Sequence, residues 1–569
     1  MRAVFVSLAI AALIGASAPA QSLRLPAVTE RPLRNGLRVL VVERPGTGAV
    51  RVQVFIKGGR ANTGGLPPVA ADLLGRSLFD RALPDPVARK LEPLLDQEEG
   101  AFEALRLERL ARARVGQDAT LSPSPDRQSL KALDDRAMAD LDGQIGGLET
   151  WDALDALGAT GRSLVVTADY VSYGMDLPAA AVASWMQVEA ARLRGLALGR
   201  FPLERDRLLQ EIESGTPPSP PSLSVLLATA LSGRPYGLAG EFHRSQVEAM
   251  GWRELQTYAR WAVSPENTTL VLVGDVKAAS VFDTLESAFG SLPRATASEA
   301  HWQGVPVFQA EDPVSSLESP GGRRLLVSTT GDTRVLFGWR IPPANHPDGA
   351  ALRALVQILG GAPSARLSQD LVTSKGLARR VSVQMGVPGR RDVNLLVIEA
   401  EPAPGHSLDE LEQAIEDEVL RLQLEPLSDL EVRQAQTQLE AAEVRAQEDA
   451  GTLALNLGAA QCQGGDWRMA FRALETGGNL KPVELQRVAR SYLVPPRMTL
   501  VMLGPDPLLV PLDRTESRLL QVLTALLRPR LGESAQAQSI LREALRQLRM
   551  LTPAEREQTL KLLESQVQK

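Results

Sequence analysis

Two oppositely charged side chains, Asp72 and Arg76, stand one helical turn apart in GLPPVAADLLGRSLF, residues 65 to 79. Pro67 and Pro68 suit the first turn of a helix, and Val69, Leu73, Leu74 and Leu78 recur at helical spacing. The segment therefore reads as a helix that projects both charges from one face. A carboxylate and a guanidinium so spaced can pair with each other, and the carboxylate could help hold a cation. Between them Gly75 contributes no side chain. The chain has only four histidines, His243, His301, His346 and His406, none spaced as a pair on one helix face. They read as surface or loop residues. Its single cysteine, Cys462, lies in GAAQCQGGDW with no histidine nearby, which suits a packed or idle thiol better than a nucleophile.

At 569 residues, with 44% hydrophobic and 23% charged side chains, the composition is that of a globular protein of several domains. A net charge of -6 gives no electrostatic reason for a nucleic-acid partner or an anionic membrane surface. One cysteine excludes an internal disulfide. Residues 1–20 read as a secretory signal, with Arg2, an apolar run from Ala3 to Ile14, and Ala18-Pro19-Ala20 before the cut. The run is too short to span a bilayer. A periplasmic or secreted protein is the expectation.

Residues 37 to 56, LRVLVVERPGTGAVRVQVFI, hold two alternating runs around a Pro-Gly turn and predict a hairpin or adjacent strands. From about 81 to 148 the chain is rich in Ala, Leu, Arg and Glu, broken by LSPSPDR, and predicts a helical hairpin packed on the neighbouring domain. Strand character returns in RSLVVTADYVSYGMDL, then helices, then the apolar strand TLVLVGDV. A polar stretch at 308–324 reads as a linker. Beyond it come RVLFGWRI, a helix, more strands and helices, and MTLVMLG. The segments YARWAVSPENTTLVLVG and VARSYLVPPRMTLVMLG share Ala-Arg, Pro, Thr-Leu-Val and Gly at a constant offset, which argues for an internal duplication. Residues 511–569 are purely helical in pattern, with Leu519, Leu520, Leu523, Leu526 and Leu527 on one face, and predict an extension packed on the second domain.

In this order the pieces resemble the insulinase/pitrilysin family of zinc metallopeptidases, to which mitochondrial processing peptidase belongs. NGLRVLVVER resembles the family's opening strand; GRPYGLAGEF and SPENTTLVLVGDV, the close of its first domain; and GGAPSARLSQDLVTSKGLARRVSV, the opening of its second. The resemblance covers most of residues 30 to 507. It implies an α+β fold of two duplicated α/β sandwich domains, here 30–307 and 325–510, with the helical insertion and the helical tail added. It also implies that two such pairs of domains enclose a chamber around unfolded peptide.

The family's H-x-x-E-H helix binds zinc through its two histidines and uses its glutamate as general base. Asp72 and Arg76 occupy the histidine positions here, and Gly75 the position of the base. Glu204-Arg-Asp-Arg-Leu-Leu-Gln-Glu211 matches the later segment that supplies the third ligand, so Glu211 alone is retained. In the second domain the family's substrate-positioning arginine and tyrosine are replaced by Val372 and Arg379. No zinc or other cofactor is expected at such a site. The resemblance then implies an ion pair from Arg76 to Glu211 or to Asp72, since buried carboxylates need a partner.

The reading is of an exported family member that is not a peptidase: the non-catalytic subunit of a two-chain zinc protease, paired with a chain carrying H-x-x-E-H or with itself, because a chamber needs four domains and this chain offers two. The alternatives are an active zinc metalloendopeptidase with an unconventional site, and a standalone peptide-binding or chaperone-like scaffold.

Overall fold

The computed structural model describes residues 25–567 except 79–84, 115–124, 146–149, 197, 215–220, 241–242, 296–322, 330–332, 472–479, 506–513, 532–539, 542, 546 and 549–552. The leader at 1–20 and nearly all of the linker at 308–324 lie outside the described residues.

Two mixed sheets carry the fold. The first runs β1 (Val28–Pro32), β2 (Arg38–Glu43), β6 (Thr268–Gly274), β3 (Ala49–Ile56), β5 (Val171–Pro178), β4 (Thr160–Val166). The second runs β7 (Arg323–Ser328), β11 (Met498–Gly504), β8 (Arg334–Ile341), β10 (Asn394–Pro402), β9 (Ala378–Val387). Without β1 the two orders are the same. The strand that closes each half, β6 or β11, sits between a parallel neighbour and an antiparallel one. The helices that lead into these closing strands, Trp252–Ala262 and Pro482–Tyr492, are also equivalent. The duplication suggested by two short matching segments thus extends to whole domains.

One expectation fails here. β2 and β3 do not pair with each other, because β6 lies between them, parallel to β2 and antiparallel to β3. Every residue of β6 is buried, and a wholly apolar strand belongs in the middle of a sheet covered on both faces. The Pro-Gly turn changes the chain's direction without closing a hairpin.

Alternation divides the first sheet between two cores. Val39, Val41, Val52, Val54, Leu270 and Leu272 face the first domain's own helices. Leu40, Val42, Phe55, Val271 and Val273 face Leu453, Ala454 and Leu457 of helix Ala450–Gly464, which comes from the second half of the chain. Reciprocally, helix Pro221–Ala230 of the first half lies on β8 and β11, with Leu226 against Gly338. Each half covers a sheet of the other. A carbon added at Gly458 would lie 1.9 Å from the ring of buried Phe55, so a side chain there is incompatible with this approach.

Insertion helices Asp85–Arg114 and Pro125–Ile145 pack together and bury Leu91, Leu95, Ala101, Ala137 and Leu141. In the tail, Leu519 of Arg514–Leu531 is buried with Leu548 and Leu560, residues of the tail itself. From the tail Glu543 also reaches Arg324 of β7, at 3.5 Å. Among the described residues no helix is long and apolar enough to cross a membrane.

Candidate functional site

Helix Val69–Ser77 starts after Pro68 and buries Val69, Ala70, Ala71, Leu73 and Leu74 beneath the sheet's helical layer. Helix Phe201–Glu213 lies beside it and anchors through Phe201, Leu208 and Leu209. This packing brings Arg76 onto Glu211. Arg76 Nη1 donates to Oε1 at 3.0 Å and Nη2 to Oε2 at 2.7 Å, a two-pronged charge-assisted bond. The pair is only half-buried, with the Arg76 and Glu211 side chains 24% and 39% exposed.

Asp72 pairs elsewhere. Arg60 Nε donates to its Oδ2 at 2.8 Å and Arg60 Nη2 to its Oδ1 at 2.7 Å, in a more enclosed setting. The expected alternative, an Asp72–Arg76 pair along one helix face, is therefore replaced by two parallel pairs. Helix geometry allows the spacing, but Glu211 and Arg60 each offer a fork-to-fork arrangement that an i, i+4 pair does not need to reach. Burial acts to lower the Arg60 pKa, yet the hydrogen bond and charge of Asp72 outweigh it and raise the value.

Arg60 carries no mark of this role in the sequence. It belongs to the glycine-rich loop KGGRANTGG just before the helix. The signal available was general: a carboxylate destined for burial needs a cation within reach, and Arg60 is the arginine that leads into this helix. The loop is held by main-chain bonds from Arg60 N to Thr167 O and from Ala61 N to Ala168 O, both 2.9 Å. Behind it Tyr258 donates its hydroxyl to Gly58 O at 2.5 Å. Burial, and then the Asp72 charge, pushes the Tyr258 pKa up, so the phenol stays neutral.

Gly75 faces the first sheet's edge. A carbon built there lies 3.0 Å from Val166, 3.4 Å from Val171 and 3.5 Å from Leu164. Gly75 is thus lined by aliphatic groups. In the second domain, Val372 is 36% exposed on the π-helical segment Ser368–Ser374, and Arg379 donates to Glu401 at 2.9 Å. Neither takes part in the two arginine–carboxylate pairs.

Zinc would require donors from Asp72 and Glu211, but all four carboxylate oxygens already accept from a guanidinium. The residues present do not fit the metal. Among the described residues no group of three or more His, Cys, Asp or Glu side chains is placed to hold one. What the arrangement can do is hold two helices and a loop in register by fixed charge.

Comparison with known proteins agrees with this architecture. The model for the peptidase M16 inactive domain matches residues 253–439. Zinc protease PqqE of Helicobacter pylori is 26% identical over 152 residues, 26% of this chain and 32% of that protein. An uncharacterized zinc protease of Mycobacterium leprae, ML0855, is 25% identical over 307 residues, 53% of this chain and 66% of its own length. The matched stretches thus fall short of two thirds of either relative. Among solved structures, a protease from Helicobacter pylori superposes with a TM-score of 0.65 at 20% identity, over 84% of this chain and 100% of that one. A peptidase M16 inactive domain from Pseudomonas fluorescens gives 0.62 at 15% identity, over 84% and 98%. These likenesses are of fold.

Proposed function

We propose, because the chain belongs to the peptidase M16 (insulinase) family without that family's catalytic residues, that it works as a non-hydrolytic, peptide-accommodating subunit. In this reading it is exported through residues 1–20 and pairs with a family member carrying an intact H-x-x-E-H, supplying two of the four domains that enclose a peptide chamber. The single observation that carries the proposal is the closure of both metal-facing carboxylates by arginines. It leaves no donor for zinc and no base for water, while the fold around the site remains whole.

A peptide-contacting role is supported by the surroundings. β4 is the outer strand of the first sheet, beside the site helix, and Leu164 on it is exposed. An extended peptide could add main-chain bonds along such an edge. A standalone peptide-binding scaffold shares this feature and differs only in needing no partner.

The test is affinity isolation of the full chain from its own cells, with identification and zinc analysis of what accompanies it, and peptidase assays on the isolated chain and on the complex. The proposal expects zinc and cleavage to follow the partner. Stoichiometric zinc on the isolated chain, lost in Glu211→Ala together with peptide cleavage, would establish an active metalloprotease in its place. Peptide binding by a chain that recovers no family partner would favour the scaffold.

A further inference from the structure

The turn Thr167 to Tyr170, between β4 and β5, touches both the candidate site and the seam between the two halves. It is braced internally: Thr167 N donates to Tyr170 O at 2.9 Å, and Thr167 Oγ1 accepts from Tyr170 N at 3.0 Å and from Asp169 N at 3.2 Å. Such a turn moves as one piece.

On the site side, its Thr167 and Ala168 carbonyls accept from Arg60 N and Ala61 N, and Asn62 Nδ2 donates to Asp169 O at 3.2 Å. The fit is close, since a carbon at Gly59 would lie 2.4 Å from Ala168 O and from Tyr170 N. Loop and turn therefore cannot slide past each other. Arg60, held by its main chain to this turn, is the residue that grips Asp72 on the site helix.

On the seam side, the Asp169 carboxylate is fully buried. Its Oδ1 accepts from the Tyr236 hydroxyl, and its Oδ2 accepts from Arg390 N at 2.7 Å and from Gln463 Nε2 at 3.0 Å. Tyr236 in turn accepts from Arg391 N at 2.8 Å. Arg390 and Arg391 belong to the connection from β9 to β10, and Gln463 to the helix laid on the first sheet. A carbon at Gly389 would lie 2.6 Å from both Asp169 Oδ2 and the Tyr236 hydroxyl, so this contact also tolerates no slack.

We infer that the 167–170 turn is a coupling element: a change in how the two halves meet is transmitted through Asp169 to the loop at 58–63 and thence, through Arg60 and Asp72, to the site helix. The chain of contacts is short. Buried networks of this kind settle into discrete arrangements and do not deform gradually. The functional consequence is that a partner or peptide altering the seam would alter the surface beside β4, and, because coupling is reciprocal, an occupant beside the site helix would tighten or loosen the seam. This inference rests on the contacts alone and stands whether or not the proposed subunit role does.

Hydrogen exchange on the full chain tests it. Asp169→Asn, which keeps the shape and loses the charge, and Tyr236→Phe, which removes the two hydrogen bonds of the hydroxyl, to Asp169 and from Arg391 N, while keeping the carboxylate, are compared with the wild type. The expected result is a drop of about tenfold in protection of the amides at 58–77, with helix Ala278–Phe289 in the same domain unchanged. Reciprocally, Arg60→Gln lowers protection at 389–394. Unchanged exchange at 58–77 in a folded variant overturns the inference, as does an equal loss at 58–77 and 278–289, which would signify general destabilisation. If Asp169→Asn does not fold, Tyr236→Phe is judged by the same criteria.

Discussion

Arg60 and Asp72 meet through two hydrogen bonds of 2.8 and 2.7 Å, in a setting where their side chains are 13% and 8% exposed. Arg76, one turn beyond Asp72 on the same helix, and Glu211 of the neighbouring helix make an equally well-formed pair in a more open place. The difference in enclosure sets how much each is worth.

Breaking the enclosed pair from one side strands a buried charge. Arg60→Gln or Asp72→Leu should therefore cost about 3 kcal/mol, whereas removing both partners in Arg60→Met with Asp72→Leu should recover a good part of that loss. Urea unfolding of the two singles and the double checks this. Additive losses would mean the pair is not acting as a unit.

The open pair is screened by solvent. Arg76→Ala should cost about 0.5–1 kcal/mol and leave the fold intact, measured by the same titrations. A loss as large as that of Arg60→Gln would contradict the difference in exposure.

Metal affinity should follow donor chemistry. Asp72→His with Arg76→His, combined with Arg60→Met so that no unpaired guanidinium is left beside position 72, supplies two imidazoles and Glu211 as donors, so this variant should bind zinc where the wild type does not, read by metal analysis after dialysis. It should still fail to cleave peptide, because Gly75 supplies no base. Adding Gly75→Glu should destabilise by about 1–3 kcal/mol, since the new side chain enters against Val166 and Val171.

Where the insertion meets helix Phe201–Glu213, the Glu98 carboxyl pairs with Arg205 while Asp134 and Asp206 lie close by. Burial, outweighing the attraction of Arg205, raises its pKa to about 7. A raised folded-state value means that the contribution of Glu98 is fully present below the unfolded value, near 4.3, and is lost as pH rises through about 7. Stability measured across this range should fall more steeply in the wild type than in Glu98→Gln. Parallel profiles would remove Glu98 as the cause.

The seam between the halves should be equally sensitive to a single carbon. Gly458→Ala gains helix propensity of about 1 kcal/mol but drives a methyl into the Phe55 ring. A net loss of about 1–3 kcal/mol is expected, accompanied by faster proteolysis between the halves. A stabilised variant would show that the helix can lift away without penalty.

Much of this protein was legible in its sequence because the information is local. The strand-like run RVLFGWRI marks β8 to the residue, and the leucine spacing after Pro68 marks the site helix. The repeat of Thr-Leu-Val before a glycine marks β6 and β11 as equivalent strands. Reading Asp72, Gly75 and Arg76 against H-x-x-E-H needs only the order of residues along one helix, and reading Glu211 as a partner for Arg76 needs only one further segment.

Other features depend on which distant segments share a space. Sequence order suggested that β2 and β3 would pair, but the more completely apolar β6 took the place between them. The nearest cation to Asp72 along its helix is Arg76, yet Arg60 reaches it from a loop whose path is set by the turn at 167–170. The exchange of helices Pro221–Ala230 and Ala450–Gly464 between the two sheets likewise has no local mark, because each helix is apolar toward a surface that only the other half provides. Sequence alone determined which elements form and which residue types stand at 72, 75, 76 and 211. The tertiary structure decided who pairs with whom, since the energy of a buried charge or an apolar face is fixed by the partner that folding brings to it.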